Sequence, residues 1–287
     1  FDNYCGCREL PSGQSTATTA TTTSATTTTI PSTRNGLPNF IIFQPDDMPF
    51  YDSWSPPPNP PSLPNRKVTS PGLPNMEKVR SEGISFTNAY TISPACATSR
   101  YATLTGKYSS RSEYGRSSTL AEDASASRTY TNVPKTKLTA TDKSQNIPAA
   151  LKAAGYRTGM TGKWHLQDAG NKANTFPSYA ETQAHIRDAG FSYADGIYVE
   201  NIEGTFAGTG DFTHNMEWIT EKAVEFIEGT DASQPFFLYF NPTVPHAPSV
   251  LDALNSDCAK TPSGQLPSEP QVKGMTTGTT CAAYRST

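Results

Sequence analysis

Short apolar runs mark three predicted strands along the chain. Residues 39–43 and 235–240 are rich in aromatic and aliphatic side chains and carry no charge, which is the pattern of a strand buried on both faces of a parallel sheet. Residues 84–86 alternate apolar and polar side chains, which is typical of a strand with one buried face. We therefore predict a sheet with the two longer runs at its core.

Apolar residues at helical spacing predict helices between and beside these strands. They recur at residues 216–227, and residues 147–154 form a second predicted helix with Pro148 in its first turn. A third, short helix is predicted to be capped by Asn75 and to end at Gly83. Strands that alternate with helices indicate an α/β fold, a mostly parallel central sheet sandwiched by helices.

The composition changes sharply at both ends of this α/β pattern. Residues 1–35 contain two cysteines and then a Ser/Thr/Ala tract at 15–33 that has no apolar period. This tract is typical of an O-glycosylated stalk or of a disordered tether, and both interpretations stay open. We place the folded domain at 36–250 and a coil-rich tail with two further cysteines at 251–287.

Charge and hydropathy exclude two classes of partner. The chain has 287 residues and a formal net charge of −3, so we expect no nucleic-acid binding. No apolar run approaches the length of about 20 residues that spans a bilayer, so we expect no membrane span. The first residue is Phe and no leader is recognisable, so we expect a processed or partial chain, secreted to the extracellular space.

Five cysteines are distributed unevenly, at Cys5, Cys7, Cys96, Cys258 and Cys281. In an oxidising compartment the four terminal ones can form two disulfides, whose connectivity the sequence does not fix. Cys96 is then the odd cysteine. It is either a buried spectator or a reactive residue.

Two adjacent carboxylates, Asp46 and Asp47, follow the first predicted strand. Ligands bind at the carboxyl ends of strands in open α/β sheets. Adjacent carboxylates repel each other, and hard oxygen ligands of this kind suit Ca²⁺ or Mg²⁺. A metal site is one interpretation, and a solvated turn is the other.

Cys96 precedes Arg100 by four residues, so both side chains share one face if a helix begins there. Helix N-termini and cations favour nearby anions. The planar fork of an arginine also matches tetrahedral oxyanions such as sulfate and phosphate. The spacing therefore predicts an anion site beside a nucleophile, without specifying the chemistry of that nucleophile.

Three further polar residues are candidates for the site. Lys163 and His165 alternate around a tryptophan between glycines, so on an extended segment both side chains point to one side. A cation paired with an imidazole can bind an oxyanion and transfer a proton. His246 follows the last predicted strand. A lone histidine is usually structural, so His246 gains weight only from its neighbours.

Taken in order, these segments resemble the sulfatase family, part of the alkaline-phosphatase-like superfamily. Residues 39–47 resemble the opening strand with its metal-binding Asp pair, and 96–106 resemble the sulfatase signature. Residues 155–166 are similar to the second signature, and 235–248 to the central strand and its histidine. The resemblance covers about 37–250 and implies a sulfatase-like fold that is incomplete, with the N-terminal catalytic half only.

The resemblance implies a nucleophile and a cofactor. Cys96 is oxidised in this family by a dedicated formylglycine-generating enzyme, and the hydrate of formylglycine supplies the attacking oxygen. Asp46 and Asp47, together with residue 96, are expected to hold Ca²⁺, with Mg²⁺ as the alternative, which polarises the sulfate oxygens.

The resemblance also implies roles for the remaining site residues. Arg100 is expected to stabilise the hydrate and the charge beside the metal. Lys163 and His246 are expected to contact the sulfate oxygens or the leaving oxygen, one of them as general acid. His165 is expected to assist breakdown of the sulfated intermediate.

The sequence departs from the family pattern in two ways. Thr98 stands where the signature carries Pro, a recognition element for the modifying enzyme. No later strand ends in the Asp-Asn pair that completes the metal shell in this family.

Three functions follow from the resemblance and these departures. The leading hypothesis is a secreted sulfuric ester hydrolase acting on a sulfated small molecule or polysaccharide. The first alternative is a catalytically inactive, self-assembling structural glycoprotein of an extracellular fibre or matrix. The second is a phosphodiesterase or phosphonate hydrolase of the same superfamily.

Overall fold

The computed structural model describes residues 36–48, 73–86, 88–112, 138–167, 177–199, 214–246 and 257–271, and residue 280. All of them belong to one compact unit, Thr33–Thr287. The helices are α1 (Pro74–Glu82), α2 (Cys96–Thr105), α3 (Ala140–Ser144), α4 (Ile147–Ala153), α5 (Tyr179–Asp188) and α6 (Met216–Glu228), with a 3₁₀ turn at Ser109–Arg111. The strands are β1 (Phe40–Phe43), β2 (Arg157–Lys163), β3 (Tyr193–Tyr198), β4 (Phe236–Asn241), β5 (Lys260–Thr261) and β6 (Gly264–Gln265).

Four of the described strands form one sheet in the order β1-β4-β2-β3. Every neighbouring pair in it is parallel, with Phe40 opposite Phe237 and Arg157 opposite Phe236. Non-consecutive strands therefore lie side by side, as helical crossovers require. The predicted mostly parallel sheet is confirmed.

Helices cover both faces of this sheet. On β4, Phe236 and Leu238 pack with Phe226 of α6. The alternate residues Phe237 and Tyr239 join the larger core cluster on the opposite face, which also contains residues of α2 and α5. Because successive side chains of a strand point to opposite faces, β4 is buried on both faces, as its uncharged sequence predicts. The sandwich of sheet between helices is confirmed.

Strand β1 is parallel, as predicted, but the prediction that it is buried on both faces is wrong. Phe40, Ile41 and Phe43 are 44%, 53% and 47% exposed. Among the described strands only β4 pairs with β1, so β1 lies at the edge of the sheet. Phe40 stacks on Tyr156 and Phe43 packs against Phe240 of β4, so the apolar run makes contacts on both faces but is only partly covered.

Two local predictions near α1 are wrong. Helix α1 begins at Pro74, with Leu73 rather than Asn75 at the N-cap and no side-chain cap. Proline fits the first position of a helix because its missing N–H would have no intrahelical partner there. Residues 84–86 form no strand, and Ile84 and Phe86 are exposed. No described strand pairs with them, and a strand needs a partner for its backbone groups.

The other helix predictions are confirmed to within a residue. Asn146 caps α4 by accepting a hydrogen bond from the backbone N–H of Ala149, and Pro148 lies in its first turn. In α6 the residues Trp218, Ile219 and Phe226 are buried, as their spacing predicts. None of the described helices is both long and apolar enough to cross a membrane.

The predicted segments at the ends of the chain remain predictions. Residues 1–35, with the Ser/Thr tract, lie outside the described residues. So do 251–256 and most of the chain after 271. Between them, β5 and β6 form a short antiparallel pair.

Candidate active site

The predicted site residues lie at one edge of the sheet. Asp46 follows β1, and its backbone N–H donates to the carbonyl oxygen of Pro242, beyond the end of β4. Lys163 is the last residue of β2. Because the carboxyl ends of parallel strands meet at one edge, residues far apart in sequence converge there. Helix α2 brings Cys96, at its first position, and Arg100 to the same edge.

Asp46 forms two ion pairs at this edge. Its Oδ1 is 3.2 Å from Nη2 of Arg100, and its Oδ2 is 2.7 Å from Nζ of Lys163. All three side chains are buried, and Asp46 is only 3% exposed. Buried charges persist when they are paired and hydrogen-bonded. The charges add up to one net positive charge at the centre of the site.

Two opposing effects set the pKa of Asp46. Burial disfavours the carboxylate and raises the pKa, but the charges of Arg100 and Lys163 and the hydrogen bond from Lys163 outweigh it. The pKa of Asp46 therefore lies below its ordinary value. The carboxylate stays ionised at neutral pH and holds both cations in place.

The main chain at Lys163 is fixed by two neighbours. Its carbonyl oxygen accepts hydrogen bonds from Nη1 of Arg100 at 3.0 Å and from Nδ2 of Asn241 at 3.1 Å. The preceding residue, Gly162, has φ +89°, and a Cβ there would lie 1.9 Å from the carbonyl oxygen of Asn241. Only glycine permits this close approach of the backbones of β2 and β4. Sequence reasoning missed Asn241, although its position at the end of β4 is a usable signal.

Cys96 and His165 form a second pair. Sγ of Cys96 is 3.1 Å from Nδ1 of His165. His165 has φ +55°, an uncommon conformation for a residue with a side chain. Its backbone N–H donates to the carbonyl oxygen of Val199, beyond the end of β3. Lys163 contacts Asp46 and His165 contacts Cys96, but β2 ends at Lys163 and His165 is not in the extended conformation that the prediction assumed.

His246 lies beside the second aspartate of the pair. Its Nε2 is 3.6 Å from Oδ2 of Asp47. Asp47 has φ +60°, and its neighbour Asp46 forms an isolated bridge with Pro245. This bridge brings the segment after β4, with His246, next to the aspartate pair.

Thr98 lies in α2 between Cys96 and Arg100. It is buried, and its Oγ1 has no hydrogen-bond partner in the described residues. Its backbone N–H is in the first turn of the helix, where no intrahelical acceptor exists. The first i to i−4 bond of this helix is donated by Ser99 to Ala95.

The aspartate pair supplies the right kind of ligand for a divalent cation, but too few ligands to complete its coordination shell. Asp46 and Asp47 supply the hard carboxylate oxygens that Ca²⁺ and Mg²⁺ prefer. Across the described ranges, no group of three or more His, Cys, Asp and Glu side chains is close enough to hold a metal ion. Ca²⁺ takes about six to eight oxygen ligands. The pair therefore suits one part of a cation site.

The family follows from comparison with a family model. The model described as Sulfatase matches residues 38–270, which include every residue of the site above. The chain belongs to the sulfatase family. The predicted family is confirmed.

Curated sulfatases are similar to this chain at low identity. An N-acetylglucosamine-6-O-sulfatase of Bacteroides thetaiotaomicron is 30% identical over 190 residues, which is 64% of this chain and 29% of the relative. A human N-acetylgalactosamine-6-sulfatase is 28% identical over 194 residues, covering 61% of this chain and 35% of the relative. The chain thus spans about a third of the length of these sulfatases.

Solved structures also resemble the chain. One is that of a protein in complex with its substrate D-glucosamine-2-N,6-O-disulfate. It has a TM-score of 0.43 and 24% sequence identity, and the match covers 74% of this chain and 36% of that one.

Proposed function

We propose that the protein is a sulfuric ester hydrolase, acting alone or as part of a longer sulfatase. The observation that carries the proposal is the convergence of two pairs, Cys96 with His165 and Asp46 with Arg100 and Lys163, at the edge of the sheet where ligands bind. Family membership over most of the chain supports the same function.

Arg100 and Lys163 are proposed to attract the sulfate group. Their two positive charges face the single negative charge of Asp46 in a buried site, so a monoanionic ester is favoured there. Fixed positive groups beside a tetrahedral oxyanion also stabilise the charge that develops during reaction. Asp46 holds both cations in place before the substrate arrives.

Residue 96 is proposed to act as formylglycine, formed from Cys96 by a separate formylglycine-generating enzyme. That group supplies a hydrated aldehyde whose oxygen is the nucleophile. Sγ of Cys96 stands in for this oxygen, so Nδ1 of His165, 3.1 Å away, is within range to take and return its proton. His246 is proposed as the acid for the leaving oxygen, because it lies at the same edge beside Asp47.

A divalent cation is proposed to bind at Asp46 and Asp47 beside residue 96, Ca²⁺ first and Mg²⁺ as the alternative. It would polarise the oxygens of a bound sulfate. The carboxylate chemistry of the pair supports this assignment.

The substrate is proposed to be a sulfated sugar, either as a small molecule or within a polysaccharide. Two relatives are named for the removal of a 6-sulfate from an N-acetylhexosamine. We propose an extracellular location, because the Ser/Thr tract is typical of a glycosylated linker.

One observation favours an inactive structural glycoprotein as the second candidate. Each carboxylate oxygen of Asp46 already contacts a cationic side chain. With Thr98 in place of the signature proline, a sulfatase-like domain that never acquires formylglycine would keep these ion pairs as structural links. Self-assembly in an extracellular matrix belongs to this candidate.

Activity on paired ester substrates tests the proposal. The full chain is produced with a formylglycine-generating enzyme and assayed on an aryl sulfate and an aryl phosphate diester, with Cys96→Ala as control. The proposal predicts sulfate release that Cys96→Ala abolishes. Diester cleavage without sulfate release would identify a phosphodiesterase instead, and inactivity on both would favour the structural candidate.

A further inference from the structure

Gln44 links three elements at the edge of the sheet. Its backbone N–H donates to the carbonyl oxygen of Phe240 in β4. Its side-chain Oε1 accepts a 2.6 Å hydrogen bond from the hydroxyl of Tyr239, and its Nε2 lies 3.4 Å from Oγ of Ser99 in α2. The first of these side-chain bonds is short and strong, and the second is long.

Gln44 and Asp46 both connect the segment after β1 to helix α2. Gln44 and Asp46 are two residues apart on the segment that leaves β1, and both side chains reach α2. Gln44 contacts Ser99, and Asp46 contacts the next residue, Arg100. Two adjacent residues of the helix are therefore held by two residues, Gln44 and Asp46, of the segment after β1.

Tyr239 fixes the orientation of the Gln44 amide. Its side chain is fully buried in β4, and burial raises the pKa of its phenol. The phenol is therefore protonated and donates, so Gln44 must present Oε1 to it and Nε2 to Ser99. Tyr239 belongs to the large core cluster, so the amide is anchored to the buried core of the sheet.

We propose that Gln44 is a positioning residue that holds the start of α2, with Cys96 and Arg100, at a fixed separation from Asp46. Arg100 ties the helix to Asp46 and to the carbonyl oxygen of Lys163, and the Gln44–Ser99 contact adds a separate link from the segment after β1 to the preceding residue of the helix. The expected effect of Gln44 on turnover rests on the proposed sulfatase function. The expected effect of Gln44 on the position of Cys96 does not depend on that function.

Misplacement is expected to affect the chemical step more than binding. An error of about 1 Å in the position of a reacting group lowers rates by up to about 100-fold. Sγ of Cys96 and Nδ1 of His165 are 3.1 Å apart, and they are carried by α2 and by the segment after β2. A shift of α2 alters this separation directly.

Three variants of the full chain separate positioning from folding. Gln44→Met keeps the length of the side chain and removes both of its hydrogen bonds. Gln44→Glu keeps an acceptor for the Tyr239 phenol and for the Ser99 hydroxyl, so it is the rescue variant. Gln145→Met is the matched control, because Gln145 is exposed at the end of α3.

The first readout does not depend on sulfatase activity. The chain is made without the formylglycine-generating enzyme, and alkylation of Cys96 by iodoacetamide is followed by peptide mass spectrometry, with the far-UV circular dichroism spectrum of each variant recorded alongside. Gln44→Met is expected to change the alkylation rate of Cys96 by about threefold or more and to leave the circular dichroism spectrum unchanged. Gln44→Glu and Gln145→Met are expected to match the wild type in both measurements.

The second readout is turnover of an aryl sulfate by the converted protein. Gln44→Met is expected to lower kcat about tenfold with KM within about twofold, and Gln44→Glu to restore most of kcat. An unchanged Cys96 alkylation rate in Gln44→Met, or a changed rate that accompanies loss of the folded circular dichroism spectrum, would overturn the positioning role. If the wild type releases no sulfate, the proposed function fails, and the alkylation result still decides the role of Gln44.

Discussion

Asp46 and Lys163 are 117 residues apart in sequence, and their Oδ2 and Nζ atoms are 2.7 Å apart in the fold. Arg100 completes a buried group of three charges around the same carboxylate. This group connects β1, α2 and β2, so it links the stability of the domain to the geometry of the site.

Lys163→Met is expected to destabilise the domain by about 3 kcal/mol, because it leaves Asp46 with one cation in a buried site. Chemical denaturation of the full chain measures the change. The matched control is Lys143→Met. Its partner Asp188 is largely exposed, so we expect a loss of about 1 kcal/mol or less. Equal losses of unfolding free energy in the two variants would show that the buried ion pair of Lys163 stabilises the domain no more than an exposed one.

The stability contributed by Asp46 is expected to depend on pH. The pKa of this carboxyl is lower in the folded state than its ordinary value of 3.8. The contribution is therefore complete above that value and is lost as the pH falls through the lower folded-state pKa. We expect the difference in unfolding free energy between the wild type and Asp46→Asn to narrow with acidification in this range. A difference that stays constant at all pH values would contradict the assignment.

His165→Asn is expected to lower kcat by about 100-fold or more while KM changes little, because a proton-transfer group contributes in the transition state. Steady-state kinetics on an aryl sulfate measure this. His185→Asn is the comparison. His185 accepts a hydrogen bond from the indole N–H of Trp164, so its role is in packing and a smaller loss is expected. An equal loss in both variants would place the effect in the packing around Trp164.

Thr98→Pro is expected to raise the fraction of residue 96 that is converted to formylglycine. It restores the signature residue at a position where the backbone N–H has no intrahelical acceptor and the Oγ1 has no partner in the described residues. The cost in stability is expected to be about 1 kcal/mol or less. Peptide mass spectrometry after production with the modifying enzyme measures conversion. A lower fraction than in the wild type would contradict this role of position 98.

The sequence was sufficient for the parts of the fold where local pattern and tertiary environment agree. The uncharged run at 235–240 is buried on both faces, and the helix from Met216 follows its apolar spacing. The run at 39–43 has the same character and lies exposed at the edge of the sheet. The burial of a strand depends on its neighbours in the sheet, and the sequence of one apolar run does not say which strands those are.

The site residues were predictable for a different reason. Asp46 stood out because it follows a predicted strand, Arg100 because it lies one helical turn after Cys96, and Lys163 because it alternates with His165. Gln44, Asn241 and Tyr239 did not stand out, because neutral polar side chains are common in loops and strands. Their roles depend on pairings across the sheet, such as the bond from Asn241 to the carbonyl oxygen of Lys163, and only the folded structure brings these groups together.

The most direct test of the proposed function relates activity to the state of residue 96. Preparations of the full chain with different degrees of conversion are made, and the rate of sulfate release from an aryl sulfate is plotted against the fraction of residue 96 present as formylglycine. A straight line through the origin is the predicted result. A rate that is independent of this fraction, or no release from fully converted protein, would contradict it.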